Sequence, residues 1–447
     1  MGNTSPLKVI IVGAGLGGLS CSIACRHQGL NVLVLEKAPA ITAVGAGIQI
    51  PPNAGKILRS YGLLPLFEKL AVQLEWHDMR RYRNGQLLAS RPVDEQFIKK
   101  MGAPWMVIHR QDYHAILLEE AKRLGAEVKL NTNVTGLEFD RTEVTLLDGE
   151  VIKGDVIIGA DGLWSSTRDA ILGHPSPPVE TGDLAYRATF SRQQLLELND
   201  PRVEDLCSKK TVTLWMGPDK HCVFYPVRGG AEFNLVLLRP DNLPTGVRTV
   251  KGDLDEMRMT FEGWDEILVK LISCISSVLK WKLCHHQELE KWTQGHVALL
   301  GDACHPTLPY QAQGAAMAVE DGAVLGFLLG QVAHKPASTD TASGSEDHIS
   351  AVLKLYETLR KSRTTVNVLG AVTNRKYFHL HDGPEQEERD AALAKLDWYR
   401  SQTKWKWIDS GYQEDLLSFD ALKDAKEAFG KWWAEQDTAR TAGRMKV

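Results

Sequence analysis

Residues 8–36 read KVIIVGAGLGGLSCSIACRHQGLNVLVLE, and this stretch decides the fold class. An apolar run at residues 9–12 predicts a buried strand, and a second run at residues 32–35 predicts another, with a helix between them. The second run ends in Glu36, at about the spacing where an acid meets a ribose hydroxyl. After the first run stand three glycines in a GxGxxG pattern: Gly13, Gly15 and Gly18. They are typical of a tight turn, a close approach to a pyrophosphate and helix–strand packing, so the stretch predicts a dinucleotide-binding βαβ unit.

This pattern leaves NAD and FAD open, and two later segments favour FAD. Residues 154–162, GDVIIGADG, predict a third short strand that ends at Asp161. Residues 295–306, GHVALLGDACHP, predict a further strand that ends at Asp302, and a small-residue helix then begins at Gln313, Gly314 and Ala315. A helix N-terminus carries unpaired N–H donors and the positive end of the helix dipole, which suit a pyrophosphate. Asp302 offers an acceptor for ribityl hydroxyls; the alternative is that it only caps a turn.

In these segments the chain resembles the class A flavoprotein monooxygenases, aromatic hydroxylases with a glutathione-reductase-like FAD fold. The resemblance covers about residues 8–375 and is closest to the salicylate hydroxylase-like branch. It implies that Asp302 binds the ribityl chain, that Asp161 serves FAD and the pyridine nucleotide, and that Arg110 contacts the FAD chain, unless Arg110 is only a surface residue. The cofactor-binding candidates are Gly13, Gly15, Gly18, Glu36, Lys37, Gly47, Arg110, Val134, Asp161, Asp302, Gln313, Gly314 and Ala315.

The predicted fold class is α/β: a Rossmann-like FAD-binding fold of the glutathione-reductase type, with an interleaved antiparallel-sheet substrate domain and a C-terminal helical region. Strand–helix alternation gives way to alternating strand patterns after about residue 183. We expect residues 1–75, 105–180 and 291–375 to form the FAD-binding domain, residues 76–104 and 181–290 the substrate domain, and residues 376–447 the helical region. The tryptophans of that last region are expected to be packing anchors, or else an oligomer contact.

Candidates for chemistry lie in the predicted substrate domain. The resemblance implies that a His and a Tyr at the His-x-x-x-Tyr-Pro spacing, here His221 and Tyr225, line the substrate pocket. His221 can accept a phenol proton near neutral pH and Tyr225 can donate a hydrogen bond, although both would also fit a sheet core. Arg187 would suit a carboxylate or the flavin edge, or else an outward salt bridge. Pro309 stands where some relatives hold a polar side chain, which predicts a more apolar pocket.

The composition of the chain argues against several classes of protein. The net charge of −4 over 447 residues offers no basic patch for nucleic acid, and seven cysteines without a CxxC pair or zinc-type spacing favour reduced thiols and no metal site. The first strand begins by Lys8, leaving little room for a signal peptide, and the most apolar helical stretch, at residues 267–275, is too short to cross a membrane. We expect a cytoplasmic monomer or homodimer.

The resemblance therefore implies an FAD monooxygenase that uses NADH or NADPH and molecular oxygen to hydroxylate a phenolic aromatic acid or related phenol. With salicylate as substrate, hydroxylation at the carboxylated carbon would release carbon dioxide and give catechol. One alternative is a tailoring hydroxylase or epoxidase of a larger natural product. Another is a non-redox flavin-fold binding protein similar to the GDP-dissociation inhibitors, which a yellow colour of the purified protein would argue against.

Overall fold

A computed structural model describes residues 6–40, 46–333 and 347–444, with side chains described as far as residue 436. The strands are Lys8–Val12 (β1), Asn31–Leu35 (β2), Gly47–Ile50 (β3), Val72–Gln73 (β4), Trp76–Arg81 (β5), Leu87–Pro92 (β6), Met106–His109 (β7), Glu127–Lys129 (β8), Val134–Glu138 (β9), Glu143–Leu146 (β10), Val151–Lys153 (β11), Val156–Gly159 (β12), Val179–Ser191 (β13), Thr211–Gly217 (β14), Lys220–Val227 (β15), Glu232–Pro240 (β16), Thr249–Lys251 (β17), Leu279–His285 (β18), Thr293–Gln294 (β19) and Val297–Leu299 (β20). The helices are Leu16–His27 (α1), Pro52–Ser60 (α2), Leu64–Glu68 (α3), Glu95–Met101 (α4), Arg110–Arg123 (α5), Ser166–Leu172 (α6), Arg192–Leu196 (α7), Pro201–Ser208 (α8), Leu254–Thr260 (α9), Glu266–Ser273 (α10), Gly314–Ala333 (α11), His348–Phe378 (α12), Pro384–Ala394 (α13), Ser410–Leu417 (α14) and Ala421–Arg444 (α15).

The N-terminal βαβ unit forms the centre of a six-stranded sheet with the order β19-β20-β12-β1-β2-β8. β1 pairs in parallel with β2 and β12, and β12 pairs in parallel with β20, as the quoted stretch and the two later segments predict. These strands are almost entirely apolar and buried, as expected for a parallel sheet covered on both faces. The carboxyl ends of β1, β12 and β20 therefore meet at one edge.

A second sheet has eight strands in the order β17-β18-β13-β16-β15-β14-β5-β6. Its neighbouring strands pair antiparallel, as predicted, with one exception: β14 pairs in parallel with β5, which comes from a much earlier segment. Side chains alternate along β15 as predicted: Tyr225 and Val227 pack into one core, and Cys222 and Phe224 pack into another on the opposite face. The face of the sheet that carries Tyr225 is turned toward the part of the fold built on the six-stranded sheet.

The helix α11 is the most apolar long helix of the described chain, with a mean hydropathy of 1.3 over its best window, of which 83% is buried inside the fold. The shorter apolar stretch at residues 267–275 lies mostly in α10, whose eight residues are too few to cross a membrane. The length and composition of α11 would also fit a membrane span, but it packs against α1 and α12 in the interior. Burial of this kind identifies it as a core helix.

The sequence pattern predicts a long helix over residues 352–369. The helix α12 begins earlier, at His348, and runs well beyond that range to end at Phe378, beside the eight-stranded sheet. Trp405 and Trp407 are each 9% exposed and pack near this end, in agreement with a role as packing anchors. Residues 334–348 are rich in Pro, Ser, Thr, Asp and Gly, which predicts a surface loop, and this stretch lies mostly outside the described residues.

Candidate active site

A cleft of about 350 Å³ lies between the carboxyl edge of the six-stranded sheet and the inner face of the eight-stranded sheet. Backbone from β3 and the N-terminal ends of α1 and α11 also reach it. It brings together most of the predicted site residues, namely Gly15, Gly47, Arg110, Arg187, His221, Tyr225, Asp302, Gln313, Gly314 and Ala315. Residues from six separate parts of the sequence thus converge on one cavity.

The glycine-rich turn has the geometry that its pattern predicts. Gly13 has a φ of 106°, which favours glycine, and a Cβ at Gly18 would lie 2.0 Å from the carbonyl oxygen of Gly13. At Gly15 a Cβ would meet nothing within 4 Å, because this position faces the open cleft. Gly13 and Gly18 therefore serve the turn and the helix packing, while Gly15 leaves space for a pyrophosphate above the start of α1.

Like Gly13, Gly18 and Asp161, the predicted cofactor residues Glu36, Lys37 and Val134 lie away from the cleft lining. The carboxylate of Glu36 accepts hydrogen bonds from the backbone N–H groups of Ala14, at 2.8 Å, and Ala38, at 2.9 Å. Glu36 thereby braces the glycine-rich turn, and it stays half-buried with acceptor capacity for a ribose hydroxyl. Lys37 is exposed, and Val134 begins β9 and packs against the Rossmann-type core.

Asp161 is engaged by its own turn. Its carboxylate accepts hydrogen bonds from the Ser165 hydroxyl, at 2.6 Å, and from both the backbone N–H and the hydroxyl of Thr167, each at 3.0 Å. These bonds hold the segment that leads into α6. Ala160 and Gly162, on either side of Asp161, line the cleft, so a ligand here would contact backbone atoms and not the Asp161 carboxylate.

Asp302 lies on the short 3₁₀ turn Gly301–Ala303, across the cleft from the first residues of α11. The protein packed around the carboxyl of Asp302, together with Asp321, raises its pKa, while His305 and Arg110 oppose the shift. On the side of the open cleft the residue remains exposed, so a ligand filling the cleft would complete its burial. The first N–H groups of α11 have no acceptor inside the helix, and they face the same space. The donors and the acceptor that an FAD chain needs are both present.

A buried charge cluster behind this turn was missed by the sequence analysis. It consists of His305, Glu320, Asp321, Arg360 and Arg363. Asp321 accepts hydrogen bonds from the Gly301 N–H and from Arg360, and it also pairs with His305. Burial alone would raise the pKa of Glu320 and Asp321, but the cationic partners lower each to about 2. The cluster therefore holds the turn that presents Asp302.

The same cluster contains a group that could hold a metal ion, Cys304, His305 and Asp321. Its donor atoms are already engaged: Cys304 donates to the carbonyl oxygen of Gly301, and His305 and Asp321 bond to each other at 2.6 Å. The arrangement serves hydrogen bonding within the protein.

Arg187 lies on β13 and lines the cleft, so the alternative of an outward salt bridge is wrong. Its Nε is buried and has no hydrogen-bond partner among the described residues. Burial lowers the pKa of its guanidinium, although an arginine stays charged at neutral pH. A buried, unpaired guanidinium nitrogen suits a carbonyl or anionic group of a bound ligand, such as a flavin edge or a carboxylate.

His221 is 1% exposed, and its Nδ1 lies 2.7 Å from Nε2 of His379, the residue that caps the end of α12. Rings of Tyr310 and Phe378 lie 5.1 Å from the His221 ring. Burial lowers the pKa of His221 well below its ordinary value, with a further contribution from His379. His221 is therefore neutral at pH 7. The sequence carried no signal for His379, which is far from His221 along the chain.

Tyr225 is buried against Gly47, where a Cβ would lie 2.4 Å from the tyrosine ring. Burial raises the pKa of its hydroxyl, with Arg187 opposing the shift, so Tyr225 stays neutral and able to donate. A second cavity of about 50 Å³ adjoins the cleft beyond His221 and shares Pro309 with it. Its walls include Phe378 and Trp407, in line with the more apolar pocket predicted from Pro309.

Comparison with known proteins agrees with this geometry. The FAD binding domain family matches residues 6–352. The FAD-dependent monooxygenase OpS4 of Beauveria bassiana (strain ARSEF 2860) is 39% identical over 430 residues, which cover 95% of this chain and 97% of that protein. The 3-hydroxybenzoate 6-hydroxylase 1 of Aquipseudomonas alcaligenes is 36% identical and covers 92% of this chain and 98% of its own length.

Solved structures share the fold as well. A salicylate hydroxylase–substrate complex has a TM-score of 0.75 at 25% identity, covering 95% of this chain and 98% of that chain. Klebsiella pneumoniae HpxO in complex with FAD and uric acid has a TM-score of 0.74 at 26% identity, covering 92% and 97%. The predicted glutathione-reductase-type fold and FAD as cofactor are thereby confirmed. This chain therefore belongs to the class A FAD-dependent aromatic monooxygenases.

Proposed function

We propose that this enzyme uses NADH or NADPH and molecular oxygen to hydroxylate a phenolic aromatic acid or a related phenol. The observation that carries the proposal is the meeting of Arg187, His221 and Tyr225 in the same cleft as Asp302 and the start of α11. Relatives named for 3-hydroxybenzoate and 6-hydroxynicotinate and a structure named for salicylate hydroxylase support an oxygenated aromatic ring as substrate. Salicylate, with release of carbon dioxide, is one candidate within this class.

FAD, when bound, supplies the hydride acceptor and the oxygen-activating ring; the chain supplies binding and orientation. We assign the pyrophosphate to Gly15 and the N-termini of α1 and α11, and the ribityl chain to Asp302 and Arg110. Arg187 then faces the flavin or the substrate with an unpaired donor. The eight-stranded sheet covers the cleft and excludes water, which keeps activated oxygen from being lost before it reaches the ring.

At the substrate end, His221 and Tyr225 are proposed to bind the ring's oxygen substituents. An electron-rich ring is needed for oxygen transfer, and a phenolate is far more electron-rich than a phenol. His221 can favour the phenolate either by accepting the phenol proton or by donating a hydrogen bond to the phenolate oxygen. Accepting the proton requires the imidazole to be neutral beforehand, as its lowered pKa makes it, and a neutral imidazole can also donate through its one N–H group.

A second candidate, a tailoring hydroxylase of a larger natural product, is favoured by the cavity beyond His221. That cavity joins the cleft at Pro309 and is lined by Phe378 and Trp407, so it can take an apolar extension of the ring. Relatives named only as FAD-dependent monooxygenases fit this candidate equally.

The function is tested by screening phenols for stimulated NADH or NADPH oxidation by the yellow purified protein. Benzoate-type phenolic acids and neutral phenols with a larger apolar substituent form the two arms. If the phenolic acids speed the oxidation and yield a hydroxylated product, the aromatic-acid substrate is supported. If the larger neutral phenols do so, the larger substrate is supported. A flavin that no reduced nicotinamide bleaches, with or without phenols, would contradict both candidates and leave a non-redox role.

Non-covalent attachment of FAD is a further expectation, because the sequence shows no motif that would attach the flavin covalently. Acid precipitation should release the flavin into the supernatant, where its absorbance identifies it. Flavin that stays in the pellet would contradict this expectation.

Replacing Asp302 by alanine is expected to weaken FAD binding by roughly tenfold or more. The change removes a hydrogen bond from a carboxylate to the ribityl chain, which is worth about 1.5–3 kcal/mol. FAD affinity is measured by titrating the apoprotein and following flavin fluorescence, with D302N as the matched variant that keeps an acceptor oxygen. If the folded alanine variant binds FAD as tightly as the parent, Asp302 is only a turn residue.

A further inference from the structure

The His221–His379 pair is the polar group of the cleft that the proposed function leaves least explained. His221 comes from β15 and His379 from the end of α12, and the two rings share one hydrogen bond of 2.7 Å. His379 is 7% exposed, and its Nδ1 is buried with no hydrogen-bond partner among the described residues. Because Nδ1 of His221 is taken by His379, Nε2 is the ring nitrogen left for the cleft that His221 lines.

Both imidazoles are neutral at pH 7. Burial lowers the pKa of His379 to about 4, with Arg375 adding to the shift and Asp183 and Asp219 opposing it. The charged pair nearest to it, Asp183 and Arg375, is already engaged in its own salt bridge. A neutral imidazole carries one proton, on one of its two nitrogens. The shared hydrogen bond therefore allows only two arrangements of protons.

In the first arrangement, Nε2 of His379 donates to Nδ1 of His221, and the proton of His221 sits on Nε2 toward the cleft. In the second, His221 donates through Nδ1, and His379 must carry its proton on the buried Nδ1. That leaves a buried N–H without an acceptor, which is unfavourable because the donor has lost its water and gained no partner. The first arrangement leaves Nδ1 of His379 as a buried acceptor without a donor. In proteins, buried donors without partners are rarer than buried acceptors without partners.

We propose that His379 is a positioning residue that fixes the tautomer of His221, so that His221 offers an Nε2–H donor to the cleft. This goes beyond the proposed function, and its consequence for substrate rests on that function. A donor at this point binds an oxygen acceptor, so the ligand class is a phenolate or a ring carbonyl. The phenol proton then leaves to solvent as the substrate binds, and His221 keeps its own proton. Stabilising the phenolate in this way lowers the pKa of the bound phenol.

The tautomer is measured directly on the FAD-loaded enzyme labelled with ¹⁵N-histidine, with the signal of His221 assigned through H221N. The expected result is a neutral His221 protonated on Nε2 across pH 6–8. H379L removes the donor and should shift His221 toward the Nδ1-protonated form, and H379N, whose amide can still donate, should restore the Nε2-protonated form. A wild-type His221 that is protonated on Nδ1, or one that keeps its tautomer in H379L, overturns the proposal.

The second readout is the pKa of bound 4-nitrophenol, whose phenolate is yellow. The expected result is an acidity constant of the bound phenol at least tenfold larger, and so a lower pKa, in wild type than in H379L, with partial recovery in H379N. An equal pKa in wild type and H379L overturns the role of His379. If the tautomer is as expected but no phenol binds or is hydroxylated by the wild type, the proposed substrate class fails and the assignment of the tautomer stands.

Discussion

Replacing Arg360 by leucine should lower the free energy of unfolding by about 3–5 kcal/mol, the range expected when one partner of a buried ion pair is removed. Arg360 is 1% exposed and binds both Glu320 and Asp321, which would each lose this partner while Glu320 keeps Arg363 and Asp321 keeps His305. The pKa values of these carboxyls, about 2 in the native protein, should then rise, because fewer partners oppose the effect of burial. The loss is measured as a shift of the urea midpoint.

Two variants make this result specific. K354L removes an exposed cation from the same helix and should change stability by less than about 0.5 kcal/mol. R360K keeps the charge but not the paired contacts, so it should lie between R360L and the parent. Because Asp321 holds the Gly301 N–H, R360L should also weaken FAD binding even where the protein remains folded. An R360L protein as stable as K354L would show that the cluster contributes no net stability.

Replacing His221 by alanine should leave FAD binding intact while the product formed per NADH or NADPH falls and hydrogen peroxide rises. Without His221 the bound ring is less ionised, and oxygen that is reduced but not transferred leaves as peroxide. The size of the fall separates the two roles. Loss of a hydrogen bond to a charged oxygen costs about 1.5–3 kcal/mol, or roughly 10- to 150-fold. Loss of a positioned general base costs about 10²–10⁴-fold.

Raising the pH should restore part of the lost coupling, since solvent then ionises the phenol without help from His221. Product and peroxide are measured together over pH 6–9, with H221N as a variant that leaves a smaller cavity than alanine. Y225F is the matched control on the same strand, and we expect it to weaken substrate binding more than coupling. If H221A couples oxygen to product as well as the wild type at pH 7, His221 is a core residue.

The cofactor half of the fold could be predicted because its signals are local. The glycines of the first turn, the strands on either side and the acid after the second strand lie within residues 8–36, and their spacing already encodes the βαβ unit. The spacing could not show which hydrogen-bond partners the acidic side chains have in the folded protein. Asp161 and Glu36 stand where acids are expected, but hydrogen bonds to nearby hydroxyl and backbone N–H groups engage their oxygens.

The substrate half was less predictable, because its contacts join distant segments. The strand pattern placed His221 and Tyr225 on one face, which is correct, but nothing in it indicates that His379 lies beside His221. The apolar repeat of α12 fades before Asn374 and Arg375, so the predicted helix ends about two turns early. Those two turns deliver Phe378 and His379 to the cavity.

The continuity of α12 sets a limit on how this enzyme can be recombined with its relatives. Arg360 and His379 are 19 residues apart on a single rod, about 28 Å at 1.5 Å per residue. At one end, Arg360 is bound in the charge cluster behind the Gly301–Ala303 turn. At the other end, His379 contacts His221 of β15. A chimera that takes only the eight-stranded sheet from a relative would combine that relative's sheet with this enzyme's own end of α12. Specificity would transfer only when the end of α12 and the segment around Trp407 are exchanged together with the sheet.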